Sequence, residues 1–139
     1  MNKVDAPPLP FQIIGALGAI ASHLEDALEP IGLSLAKFRV LARLATADEP
    51  LPLSTLAEHS ACVRSNITQL VDRLEADKLV VRVHDPHDRR LVRAALTSDG
   101  RTRYASGVDA LSRAEKELFP DAAQRATLER LLSVLVRER

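Results

Sequence analysis

Apolar residues recur at intervals of three and four along most of this chain, the spacing of helices with one buried face. Ile13, Leu17, Ile20, Leu24 and Leu28 form one stripe, which predicts a helix over Phe11–Glu29, after a proline-rich arm ending at Pro10 and before the stop signals Pro30 and Gly32. Ser34 is placed to cap a second helix, Leu35–Ala47, with Leu35, Phe38, Leu41 and Leu44 inward. A turn over Asp48–Pro52 leads to a short helix near Ser54–His59. After the connection Ser60–Cys62, a longer helix is expected over Val63–Asp77 with Val63, Ile67, Leu70, Val71 and Leu74 on one face.

The period then changes. Leu79, Val81 and Val83 alternate with other residues, which predicts a half-buried strand over Leu79–His84. The polar turn Asp85–Arg90 and a second strand, Leu91–Leu96, complete a hairpin. Thr97 can cap a long helix over Ser98–Leu118 that carries Tyr104, Val108, Leu111 and Leu118. Pro120 and Asp121 open a last helix, in which Leu128, Leu131, Leu132 and Leu135 share a face.

The fold class expected from this order is mainly α with a small antiparallel β-hairpin wing, a winged helix-turn-helix. Residues 34–97 make the reading region. Residues 11–30 and 98–139 supply terminal helices with more apolar surface than so small a module covers, so a two-fold homodimer built on them is expected. Mutual cover of those helices within one chain is the alternative.

Composition narrows the function. The chain has 139 residues, enough for one domain, with 46% apolar and 27% charged residues. Aromatic residues make up only 3%, too few for the stacking platforms of single-strand binders. A single cysteine, Cys62, excludes an internal disulfide and suits a reducing cytoplasm. We find no signal peptide and no apolar run near the roughly 20 residues that span a bilayer, so no membrane partner is expected.

Net charge is zero, yet Arg64–Arg103 holds nine cations against six anions, and eight of the nine are Arg. The Arg fork suits phosphates and narrow grooves. On the helix from Val63, the polar side carries Ser65, Asn66, Thr68 and Gln69, residue types able to read base edges in a major groove. Arg64 and Arg73 flank them. Arg89 and Arg90 at the hairpin tip fit a minor groove, and Asp88 could hold the Arg90 guanidinium.

Leu56-Ala57-Glu58, then Arg64 through Glu75, then Leu79-Val80, resemble the reading unit of regulators of the multiple-antibiotic-resistance (MarR) type. Asp88-Arg89-Arg90 followed by Leu96-Thr97-Ser98-Asp99-Gly100 is similar to that family's wing and wing exit. The likeness spans nearly the whole chain. It implies a dimer held by the first and last helices, binding an imperfect palindrome of double-stranded DNA as a repressor. It further implies Ser65, Asn66, Thr68 and Gln69 on bases, Arg64 and Arg73 on phosphates, and Arg90 in the minor groove with Asp88 orienting it. Many members release DNA when a small phenolic or lipophilic ligand enters between the first, second and fifth helices. Here His23, Phe38 and Tyr104 are the candidate ligand contacts, with Phe11 a further aromatic. Val63 and Lys78 depart from the family pattern, which favours Ser or Thr at the first position and Gly at the second.

Other chemistry is weaker. Cys62 before the reading helix could sense oxidants, but a lone cysteine there is more often a small core residue. His84, Asp85, His87 and Asp88 could ligate a metal, but a hairpin tip is a poor pre-formed site and no cofactor is expected. His59 and Cys62 lack an orienting third group, so an enzyme is not expected. The competing class is a winged-helix protein-interaction module without DNA binding.

Overall fold

A computed structural model describes residues 6–59 and 64–137. The elements run α1 (Leu9–Leu28), a 3-10 turn (Glu29–Ile31), α2 (Leu35–Ala45), β1 (Leu51–Pro52), α3 (Leu53–His59), α4 (Arg64–Ala76), β2 (Val80–His84), β3 (Val92–Leu96), α5 (Ser98–Leu118) and α6 (Ala122–Arg137). The helical and hairpin order is the one expected, with four local corrections.

The first concerns α1, which begins at Leu9 rather than Phe11. Pro10 sits in its first turn, where the missing N–H has no partner to lose, and Phe11 and Gln12 donate their N–H groups to the Pro8 carbonyl. The helix then closes through Gly32 in the left-handed region (φ 72°). Leu33 N–H reaches the Leu28 carbonyl at 3.2 Å and Gly32 N–H that of Glu29 at 2.9 Å, so the two buried leucines meet across the stop.

Leu51–Pro52 is a strand where a turn was expected, pairing Leu51 with Ala94 and Pro52 with Arg93. A two-residue strand is too short to leave a periodic signal. The sheet order is β1-β3-β2, all antiparallel.

The third correction is register. Val80 is fully buried, whereas Val81 and Val83 are 44% and 38% exposed. The α4 stop explains the slip: Lys78 adopts φ 62°, Leu79 N–H bonds the Leu74 carbonyl and Lys78 N–H that of Glu75, each at 2.9 Å. Leu79 therefore belongs to the helix stop, and the strand's alternation starts one residue later.

The fourth is the inward face of α5. Tyr104 and Leu111 pack against the core, but Val108 is 39% exposed and the buried positions are Gly100, Gly107, Ala110 and Ala114. A Cβ on Gly107 would lie 2.7 Å from the Phe38 ring, so glycine lets α2 and α5 approach. The core is aliphatic, centred on Leu28, Val40, Leu41, Leu56, Ile67, Val71, Leu74, Leu79 and Val80. Within this one chain the N-terminal part of the α1 stripe and the apolar face of α6 are not covered: Leu17 is 59% exposed, Leu131 58% and Leu135 59%.

Candidate nucleic-acid interface

Ile67, Val71 and Leu74 fasten α4 to the core, and the helical period then turns Asn66, Thr68, Gln69 and Arg73 outward. Four of the six expected reading-helix contacts are thus exposed. The side chains of Arg64 and Ser65 lie outside the described part of the structure, as do Cys62 and Val63.

The hairpin tip is built by local hydrogen bonds. Asp85 Oδ1 accepts the N–H groups of His87 (2.8 Å) and Asp88 (3.3 Å), and Asp85 N–H donates to the Leu91 carbonyl. The His87 N–H bond above all holds the Asp85 carboxyl below the usual carboxylate range; loss of hydration opposes this, and Asp88 N–H and Arg93 reinforce it. Asp85 is thereby engaged in the turn.

Asp88 does not grip the Arg90 guanidinium as expected. Its Oδ1 accepts the backbone N–H of Arg90 at 3.0 Å, and its carbonyl accepts that of Leu91. A short acid reaches an N–H two residues on more readily than a side-chain tip. Among the described residues Arg89 and Arg90 therefore carry no ion pair, and both are exposed. Arg90 and Thr68 border one cleft of about 310 Å³ that reaches Leu53 and Ser54 at the start of α3.

Several arginines counted in the basic stretch act internally instead. Arg93 donates to the Pro50 carbonyl (3.3 Å) and to Asp85 (3.4 Å), and Arg103 donates to the Ile31 carbonyl (2.9 Å). Arg82 pairs with Asp72 and Glu75 of α4. Sequence reasoning assigned Arg82 no role; its distance along the chain from both acids leaves no short-range signal.

The expected ligand contacts divide. An apolar groove of about 370 Å³ runs between α1, α2 and α5, lined by Ile20, Leu24, Phe38, Leu111 and Phe119, with Ser112 and Glu115 as its polar members. Tyr104 stacks on Phe38 (centroids 5.6 Å apart, planes at 21°) without lining that groove. His23 faces a separate, polar cleft and meets Glu117 at 3.0 Å. Phe11 is 65% exposed, away from both.

A family model described as the MarR family matches residues 31–91. The chain is 32% identical over 85 residues to the transcriptional repressor MdtR of Bacillus subtilis, covering 61% of this chain and 54% of that protein. It thus spans about half of that relative's length. It is 29% identical over 123 residues to the regulator MhqR of Bacillus subtilis, covering 88% and 75%. Among solved structures it resembles the repressor CouR bound to a 23-mer DNA duplex (TM-score 0.85, 25% identity, 93% and 90% covered). CouR from Rhodococcus jostii RHA1 bound to p-coumaroyl-CoA is similar too (TM-score 0.81, 25% identity, 96% and 93% covered). Among the described residues no helix is long and apolar enough to cross a membrane. A reading unit that matches the family model, set between terminal helices that follow the same fold, makes this chain similar to the winged-helix transcriptional regulators of the MarR family.

Proposed function

We propose that the protein is a homodimeric repressor that binds an imperfect palindrome of double-stranded DNA. The observation that carries this reading is the exposed polar face of α4 beside a turn whose two arginines have no ion pair among the described residues. In it, Ser65, Asn66, Thr68 and Gln69 read base edges, Arg64 and Arg73 hold phosphates, and Arg90 enters the minor groove with Arg89 beside it. Asp88 serves by fixing the backbone of Arg90. CouR bound to a DNA duplex, with the same fold, supports the assignment.

Residues 34–97 form the DNA-binding region. Residues 11–30 and 98–139 join two copies, burying the leucines of α1 and α6 that one chain leaves exposed. The protein acts in the cytoplasm by binding, without catalysis; its relatives are transcriptional regulators.

A small lipophilic effector fits the groove between α1, α2 and α5. The charged group lining it is the carboxylate of Glu115. Neutral or cationic amphiphiles are therefore expected to bind there better than carboxylates of the same tail length, and calorimetric titration with decyltrimethylammonium, decanol and decanoate checks this.

The test of the DNA-binding reading is fluorescence anisotropy with a duplex selected from a random library, for wild type and Arg90→Ala. Wild-type binding that tightens as salt falls, with a loss of roughly tenfold or more in the variant, is expected. Equal, weak binding by both proteins to any duplex contradicts the wing contact. Absence of binding favours a winged-helix module that docks protein.

A further inference from the structure

The hairpin must hold its tip at a fixed place relative to α4 if one residue of the tip and several of the helix are to meet the same duplex. Arg82 stands in the middle of β2 and bonds α4 in three ways. Its guanidinium reaches Asp72 through Nη2 and Glu75 Oε1 through Nη1 (3.1 Å), and its backbone N–H donates to Glu75 Oε2 (3.1 Å). The last bond has a topological cause. In the order β1-β3-β2 the strand β2 is an edge, and Glu75 takes an N–H group of that free edge.

Asp72 and Glu75 lie one helical turn apart, on either side of Arg73. The Arg82 side chain is 23% exposed, against 59% for Asp72 and 43% for Glu75, so the cation is the more enclosed partner. An arginine holding two carboxylates and fixed by its own backbone has little freedom to rotate. Arg93, next to the tip, ties β3 to Pro50 and Asp85, so the hairpin is also held from the side of β1.

We infer that Arg82 is a positioning residue that couples the wing to the reading helix, so that Arg90 and the α4 face engage DNA as one unit. The inference rests on the DNA-binding reading above and goes beyond it. Arg82 touches no base or phosphate in this role. It also covers two acids that would otherwise repel the DNA backbone, but that effect weakens every complex alike and produces no coupling between sites.

A double-mutant cycle separates the two effects. Arg82→Met removes both guanidinium bonds and keeps the apolar stem. In wild type, Arg90→Ala is expected to weaken binding to the selected duplex by roughly tenfold or more. In the Arg82→Met background the same change is expected to cost about threefold or less, because the tip no longer reaches its place. Equal penalties in the two backgrounds overturn the coupling and leave the DNA-binding reading intact. No penalty even in wild type overturns the wing contact and the coupling together. If thermal unfolding shows that Arg82→Met does not fold, Arg82→Lys serves in the same cycle, since it keeps the charge and loses the fork to two carboxylates.

Discussion

Lys78 shows how much one backbone angle decides. It lies at φ 62°, where a Cβ is disfavoured, and it completes the stop that hands α4 over to β2. Replacing it with glycine is expected to raise stability by up to about 1 kcal/mol, seen as a higher unfolding midpoint. Gly100 is the opposite case: a Cβ there would sit 2.1 Å from the Leu79 carbonyl oxygen. Gly100→Ala is therefore expected to cost about 1–3 kcal/mol, measured by denaturant unfolding. Asp85 gives a pH signature. Its carboxyl is depressed in the folded state, so the stabilisation it brings to the turn is complete above the ordinary value of 3.8 and is lost as pH falls through the lower folded value. The amide signals of His87 and Asp88 should titrate with a midpoint below 3.8, and Asp85→Asn should abolish that titration. At this scale the sequence revealed residue types but not partners. Asp88 is expected to hold the Arg90 guanidinium, yet its bond goes to the Arg90 backbone, and the pairing of His23 with Glu117 depends on how two distant helices cross.

Elements with strong punctuation were legible, and elements defined by their neighbours were not. The bounds of α5 follow from Thr97, whose Oγ1 accepts the Gly100 N–H at 2.9 Å and donates to the Lys78 carbonyl at 2.7 Å. Thr97→Ala should cost about 1–2 kcal/mol, more than Ser34→Ala, whose Oγ receives one N–H, from Lys37. Chemical denaturation of the two variants checks the order. β1 left no trace in the pattern because it exists only against β3. Alternation in β2 was visible, but its phase was set by the left-handed stop before it, and Val80 rather than Val81 entered the core. Small residues on α5 were likewise illegible as a buried face: glycine and alanine carry little hydrophobic signal, yet they allow α1 and α2 to pack closely.

For the whole molecule, the surplus of apolar surface was the most readable feature and the structure gives it a location. The exposed leucines of α1 and α6 sit on the helices that carry no part of the reading face. A homodimer that buries them also sets the separation of two α4 helices, which ties assembly to DNA recognition. Charge on Leu131 and Leu135 (both →Glu) is therefore expected to give monomers in sedimentation and to abolish tight DNA binding, while α2–α5 stay folded by circular dichroism. The basic excess of the reading region was legible only as a total; several of its arginines brace the fold, and the cations left for the proposed DNA contact are fewer and more localised. The most direct test of the central claim is a hydroxyl-radical footprint on the selected duplex, with stoichiometry measured in parallel. Two copies per duplex and two symmetric protected half-sites roughly one helical turn apart are predicted. A single unsymmetric footprint, or one copy per duplex, would contradict the account.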